Sequence, residues 1–411
     1  MKQYVIVGNG VAAAGCIEGI RRQDAEGKIV VVSQEEYAVY CRPLISYYLE
    51  GKTDIQRMQY RSADFYEKNG CEVLYGKTAV AGDAQKKTVT LEDGTEIPYD
   101  ALCVATGSTA FVPPFQGLDS VQKKFSFMTL DDTLALEQAI SDDSRVLIVG
   151  AGLIGLKCAE GLHGRVAQIT VCDLADRVLS SILDAPCAAV VQAHLEKNGI
   201  AFLLGDSVQT FEGGKAHMNS GKTVDFDVLV LAVGVRANTA LVRSMGGEAD
   251  RGILLDTAMR TTLPDVYAAG DCTQGLDSSC GEKKVLALLP NAYMQGRCAG
   301  INMAGGETVF DTAIPMNSIG FFGLHIMTAG SYANTQVIDT GKDGNVRKLF
   351  VRDGLLTGFI LVGDTARAGI YTAMIRDKTP LESVNFELLK ESATSAAFSS
   401  ETRRKKFGSV V

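Results

Sequence analysis

Short apolar runs that end on glycine set the rhythm of this chain. Tyr4-Val5-Ile6-Val7 runs into Gly8-Asn9-Gly10, and Val11-Ala12-Ala13 follows with small residues that can continue as a helix. Such a run, closed by a glycine turn, predicts strand, turn and helix in succession. The pattern returns at Val146-Leu147-Ile148-Val149, followed by Gly150-Ala151-Gly152-Leu153-Ile154-Gly155. Each copy leads to a second apolar run and an acid: Val30-Val31-Val32 before Glu35, and Ile169-Thr170-Val171 before Asp173. The correspondence extends further. Asp100-Ala101-Leu102-Cys103-Val104-Ala105-Thr106-Gly107 matches Asp227-Val228-Leu229-Val230-Leu231-Ala232-Val233-Gly234 position for position, and a turn glycine, Gly94 or Gly221, precedes each at the same distance. Two related units are therefore expected, one inserted in the other.

After Gly234 the pattern returns to the first unit. Gly252-Ile253-Leu254-Leu255-Asp256 and Val266-Tyr267-Ala268-Ala269-Gly270-Asp271 read as strands, and Pro290 opens a helix through Ala292, Gln295 and Ala299. Crossovers are expected near Pro113-Pro114 and Asn238. From about Phe310 the pattern changes to short alternating strands such as Leu349-Phe350-Val351. The expected fold class is α/β: two Rossmann-like three-layer dinucleotide-binding domains, one inserted in the other, plus a C-terminal α+β domain. The expected boundaries are 1–112 with 239–309, 113–238, and 310–411.

Composition narrows the picture. A length of 411 residues exceeds what one hydrophobic core usually supports. A net charge of −8 gives no reason to expect nucleic-acid binding. No apolar run approaches the ~20 residues that span a bilayer, so no membrane partner is expected. The first strand begins too early to leave room for a signal peptide, and a cytoplasmic location is expected. The ten cysteines form no Cys-x-x-Cys pair and no metal-ligand spacing with the four histidines. No metal is expected, and Cys16, Cys103, Cys158 and Cys172 fit buried thiols inside helices or strands.

The glycine turns carry the chemistry. The first glycine makes the turn, the second lets a pyrophosphate approach the backbone, and the third small residue lets helix pack on strand. Phosphates would sit at the helix N-terminus, and Glu35 and Asp173 could each accept hydrogen bonds from ribose hydroxyls. Arg42, beside Pro43, could place a guanidinium on a phosphate as the amphipathic segment 36–49 enters a helix. Gly270 permits close backbone approach, and Asp271 can bond sugar or ribityl hydroxyls. Arg403-Arg404-Lys405-Lys406 is a solvated end or a docking patch for an acidic partner. Ile319-Gly320-Phe321-Phe322-Gly323-Leu324 is a buried strand or an interface.

With both glycine motifs, Ala105-Thr106-Gly107, Gly270-Asp271 and a separate C-terminal domain, the chain resembles the pyridine-nucleotide–disulfide oxidoreductase family over essentially its whole length. The loop Tyr40-Cys41-Arg42-Pro43-Leu44-Ile45-Ser46 is most similar to the branch of rubredoxin reductases and the flavin region of assimilatory nitrite reductases. The resemblance implies that Gly8, Gly10, Ala13, Glu35, Arg42, Thr106, Gly107 and Asp271 hold FAD. Val11, Ala12, Pro43, Ala79, Val80, Ala105, Gly270 and Ala292 join that cofactor-binding set. Gly150, Gly152, Gly155 and Asp173 would hold NADH, with Leu153, Ile154 and Gly234 beside them. NADPH is less favoured, because Asp173 lacks a nearby basic pair. The helix from Pro290 would aim its N-terminus at the flavin pyrimidine edge.

Departures from the family narrow the function. Members that reduce disulfides carry an early Cys-x4-Cys pair and a late His-Glu pair; this chain lacks the first, and its only late histidine is His325. Lys157 stands where the family's second glycine motif carries glutamate, and Tyr47 where oxygenase-type ferredoxin reductases carry lysine. Lys157 is therefore expected to be catalytic, supplying positive charge beside reduced flavin. Three functions follow. The leading one is an FAD-dependent NADH:acceptor oxidoreductase serving rubredoxin, a ferredoxin-like protein or a partner subunit. The second is a single-cysteine NADH oxidase, peroxidase or coenzyme A disulfide reductase using Cys41 as a catalytic thiol at lowered pKa. The third is an FAD-binding subunit of a larger redox complex. The family's third domain forms an interface, which makes a homodimer a further expected partner arrangement.

Overall fold

The computed structural model describes residues 1–342 and 344–407; of the basic run, Arg403 and Arg404 fall in the helix Ser400–Phe407, while Lys405 and Lys406 lie outside the residues whose side chains are described. The chain divides into two compact units, Met1–Gly275 with Leu289–Phe310, and Leu276–Leu288 with the residues from Asp311 onward.

Two five-stranded parallel sheets lie in the first unit. One runs Val266–Ala268, Ala101–Val104, Gln3–Val7, Lys28–Val32, Cys71–Leu74. The other runs Ile200–Leu204, Gln168–Asp173, Arg145–Val149, Val228–Leu231, Lys124–Phe125. In both, the strand that enters the glycine turn is central, which brings the turn to the carboxyl end of the sheet where its neighbours also stop. Its apolar run is buried because both faces are covered, as parallel sheets require. Tyr4, Val5 and Ile6 are completely buried, as are Leu147 and Ile148.

The repeat extends to the antiparallel meanders, Ala79–Asp83 to Glu96–Pro98 and Val208–Glu212 to Thr223–Asp225. Gly94 and Gly221 make their turns with φ of 82° and 85°. The two crossovers pair as an antiparallel ribbon, Ser108–Ala110 with Val235–Ala237. Asn238 fastens it by donating its side-chain amide to the Thr106 carbonyl at 2.9 Å, while its carbonyl accepts the Thr106 hydroxyl at 2.8 Å.

One contact has no counterpart in the local pattern. The first turn helix, Val11–Gln23, packs against the returning helix Leu289–Met303 with backbones touching. A Cβ on Gly15 or Gly19 would collide with the Tyr293 or Arg297 carbonyl, and one on Gly296 or Gly300 with the Ala12 or Cys16 carbonyl. Glycines four apart on each helix thus form one reciprocal seam. Filling it would cost ~1–3 kcal/mol per substitution.

In the second unit an antiparallel sheet runs Met316–Phe321, Leu324–Gly330, Leu355–Val362, Val346–Arg352, Gln336–Asp339. Helix Gly369–Arg376 contributes Tyr371 and Met374 to its core, beside Phe359. Ile319–Leu324 forms a strand, a turn at Phe322 and Gly323, and the start of the next strand; Phe321 is completely buried. The stretch Leu276–Leu288, which the sequence pattern leaves in the first domain, groups with this unit. Among the described residues no helix is long and apolar enough to cross a membrane.

Candidate functional site

The first glycine turn is shaped by what passes behind it. Gly8 has φ 113°, and a Cβ there would overlap the Ala105 carbonyl. Gly10 is the N-cap of the following helix, has no side-chain cap, and faces open space within 4 Å of where a Cβ would stand. The amides of that first turn are therefore open to an incoming anion. Ala13 is completely buried where helix meets sheet, with Val11 and Ala12 nearly so. Gly270, with φ 83°, closes on the same place: a Cβ there would stand 3.1 Å from Ala12 Cβ and 3.6 Å from Ala292 Cβ. Residues separated by more than 250 positions thus meet around one turn.

Side chains are gathered above it. Glu35 accepts the Tyr40 hydroxyl at 2.7 Å and pairs with Arg42, whose guanidinium also donates to the Met128 carbonyl at 3.2 Å. Asp271 accepts no hydrogen bond among the described residues. Burial raises its carboxyl above the ordinary value of 3.8, while the Arg42 guanidinium pulls it down. Gln295, buried on the returning helix, accepts the Gly270 amide at 2.8 Å and so fixes the turn that carries Asp271. The sequence places Gln295 on its helix and Tyr40 in its loop without a binding role for either, because an isolated glutamine or tyrosine carries no spacing signal.

The second turn repeats the frame with different fittings. Gly150 has φ 117°, and its Cβ would overlap the Ala232 carbonyl; Gly152 is an uncapped N-cap with the same open space. Gly155 is required here, because its Cβ would strike the Gly150 carbonyl. Leu153 and Ile154 are half-buried in the opening helical turn, and Gly234 follows the neighbouring strand with φ 121°. Asp173 is drawn inward, accepting the Ala151 amide at 2.6 Å and the Ala175 amide at 2.8 Å.

Other expected residues stand elsewhere or behave differently. Ala79 packs against the first core on the meander, and Val80 beside it is 54% exposed. Pro43 lies in a three-residue 3-10 turn, Arg42–Leu44, so the helix expected in 36–49 is confined to Ile45–Leu49. Cys41 caps that short turn rather than a helix. Burial pushes its thiol up, opposite to the lowered pKa a reactive cysteine needs. Lys157 does not present a lone charge. It pairs with Glu160, and its ammonium sits 4.7 Å from the centroid of the Tyr47 ring. The pair is largely covered, with side-chain exposures of 18% and 8%, where the helix Leu153–Leu162 packs on Ile45–Leu49. The expected positive charge is neutralised because an acid three residues on shares its helix face.

Residues 2–296 match the family model for pyridine nucleotide-disulphide oxidoreductases, a span that includes both turns and the Gly270-Asp271 strand. The chain belongs to that family. It is accordingly an FAD-containing NAD(P)H oxidoreductase. The residues present fit FAD: an uncapped glycine turn whose closest approach a side chain would fill, and a mostly covered carboxylate, Asp271, without a donor among the described residues.

Among its relatives, the NADH-dependent phenylglyoxylate dehydrogenase subunit epsilon of Aromatoleum evansii is 33% identical, over 93% of this chain and 94% of that one. An NADH oxidase of Methanocaldococcus jannaschii is 30% identical, over 87% of each. The fold is that of the putidaredoxin reductase–putidaredoxin complex structure, with a TM-score of 0.88, 23% identity, and coverage of 96% and 97%.

Proposed function

We propose that this oxidoreductase takes hydride from NADH and passes single electrons to an iron protein, rubredoxin or ferredoxin-like, or to an iron-bearing subunit of a larger complex. The observation that carries the reading is the pair of uncapped glycine turns held in one compact unit, each with its own acid. Bound FAD supplies the exchange between two-electron and one-electron chemistry. The chain supplies the rest. The turn at Gly8–Gly10 receives the pyrophosphate, Arg42 neutralises it, Glu35 accepts the ribose hydroxyls, and Asp271 accepts hydroxyls of the ribityl chain. Thr106 and Gly107 line the turn from the neighbouring strand. The turn at Gly150–Gly155 with Asp173 receives NADH. Residues 1–112 with 239–275 and 289–310 form the FAD domain, 113–238 the NADH domain, and 276–288 with the residues from 311 onward an interface domain compatible with a homodimer. The cytoplasm is the matching location.

The Aromatoleum relative, matched nearly end to end, favours the subunit form of this reading. The Methanocaldococcus relative favours an oxidase; a catalytic Cys41 is disfavoured by the burial that raises its thiol. The test is the colour of the purified full-length protein. It carries one FAD per chain and is bleached anaerobically by NADH at least ~10-fold faster than by NADPH, a difference of ~1.4 kcal/mol. A colourless protein that cannot be loaded with FAD contradicts the reading.

A further inference from the structure

Tyr40 is buried, 7% exposed, and its phenol stands between two parts of the first unit. Its O–H donates to Glu35 Oε2 at 2.7 Å. Its oxygen accepts the backbone N–H of Leu130 at 3.0 Å. Leu130 opens the helix Leu130–Ala139, whose cap is the reciprocal pair Thr129 and Asp132, so this amide is a fixed point. A tyrosine hydroxyl has one proton to give. With an amide donating into its oxygen, that proton is committed to the carboxylate, and the N–H···O–H···O chain is strengthened by its own polarisation.

Arg42 also engages Glu35, and the two tethers are not equivalent. In the reading above Arg42 neutralises the pyrophosphate, so a bound dinucleotide competes for its guanidinium. Tyr40 is anchored by the Leu130 amide and is assigned no contact with the dinucleotide. Tyr37 strengthens the same tie by donating its hydroxyl to Asp131 at 2.6 Å.

We propose that Tyr40 is a positioning residue: it holds the Glu35 carboxylate in place for the adenosine ribose, and thereby makes the site select FAD over FMN, which has no adenosine. The inference rests on the assignment of Glu35 to the ribose, and its test separates the two.

Full-length apoprotein is titrated with FAD and with FMN, following the flavin fluorescence, for the parent chain, Tyr40→Phe, Glu35→Ala and the double variant. Tyr40→Phe raises the Kd for FAD about tenfold and leaves that for FMN within about twofold, as expected for one hydrogen bond to a charged acceptor. Glu35→Ala also weakens FAD alone, and the double variant binds FAD no more weakly than Glu35→Ala. Equal weakening of FAD and FMN by Tyr40→Phe would reduce Tyr40 to packing and overturn the proposal. So would parent-like FAD affinity in Tyr40→Phe, or additive losses in the double variant. If Glu35→Ala itself leaves FAD affinity unchanged, the ribose assignment falls and the positioning role of Tyr40 falls with it.

Discussion

The two glycine turns share a backbone and differ in how their acids are held. At the second, Asp173 is folded onto the turn itself, accepting the Ala151 and Ala175 amides. At the first, Glu35 is kept off the turn by side chains, Tyr40 and Arg42, and the turn residue Asn9 is tied separately by the Tyr66 hydroxyl at 2.6 Å. An acid held by backbone amides keeps its place whatever the ligand does. One held by an arginine and a tyrosine can exchange a partner. That difference suits a permanently held cofactor at the first turn, clasped by long side chains and Asp271, and a substrate that comes and goes at the second.

The Lys157–Glu160 pair belongs to the second turn's helix alone, and removing half of it gives the largest effect expected outside the turns themselves. Lys157→Met strips Glu160 of this cation in a nearly buried place. A fully buried pair loses 3–5 kcal/mol on such a change, so the partial exposure here brings the expectation to ~2 kcal/mol. Urea unfolding would read it as a lower midpoint with unchanged slope, and Lys157→Met/Glu160→Gln recovers most of the loss. Because the pair is neutral overall, removing both charges in that double variant moves the flavin midpoint by less than ~30 mV, the equivalent of 1.4 kcal/mol for a two-electron couple. A larger fall would return Lys157 to the role of an uncompensated charge beside the flavin.

Asp271 sharpens the first turn. Its carboxyl is raised by burial, which outweighs the opposing pull of the Arg42 guanidinium. A raised pKa means stability that is fully present below the unfolded value of 3.8 and lost as pH rises through the folded one. Asp271→Asn therefore leaves the apoprotein more stable at neutral pH, with the gain vanishing toward pH 3. It also weakens FAD 10–100-fold, the range of one charged hydrogen bond of ~1.5–3 kcal/mol. Thermal melts across pH, with and without FAD, would show the opposite signs; a variant that melts lower in both states breaks this account of Asp271.

The smallest effect is expected at Cys41. Cys41→Ser changes NADH-dependent reduction of an artificial one-electron acceptor by less than ~3-fold, or ~0.65 kcal/mol of barrier. A loss beyond 10²-fold would mean that the thiol takes part in turnover despite its burial.

How legible this was in the sequence depended on whether the constraint was local. Gly8 and Gly150 could be read directly, since a turn with φ above 110° behind a passing carbonyl admits no side chain, and the need is written into neighbouring residues. The repeat of Ala105-Thr106-Gly107 with Ala232-Val233-Gly234 was legible for the same reason. The seam of Gly15 and Gly19 with Gly296 and Gly300 was not. Each helix shows glycines four apart, but nothing local says that the two helices meet. The placement of Leu276–Leu288 in the second unit is likewise a long-range fact. Glu160 is a different case: the i,i+3 spacing to Lys157 was in plain view, and it corrects the expectation of a lone cation.

The division of labour between the two turns is tested most directly by placing the same methyl group in each. Gly8→Ala and Gly150→Ala drive a Cβ into the Ala105 and Ala232 carbonyls respectively. The readout is the absorbance spectrum of the purified full-length chain, before and after anaerobic NADH and then dithionite. Gly8→Ala is expected to be colourless and to retain no FAD. Gly150→Ala is expected to hold FAD as the parent does, to resist bleaching by NADH by more than 10²-fold, and to bleach with dithionite. A yellow Gly8→Ala protein that NADH reduces normally, or loss of FAD from Gly150→Ala alone, would contradict the assignment of the two turns.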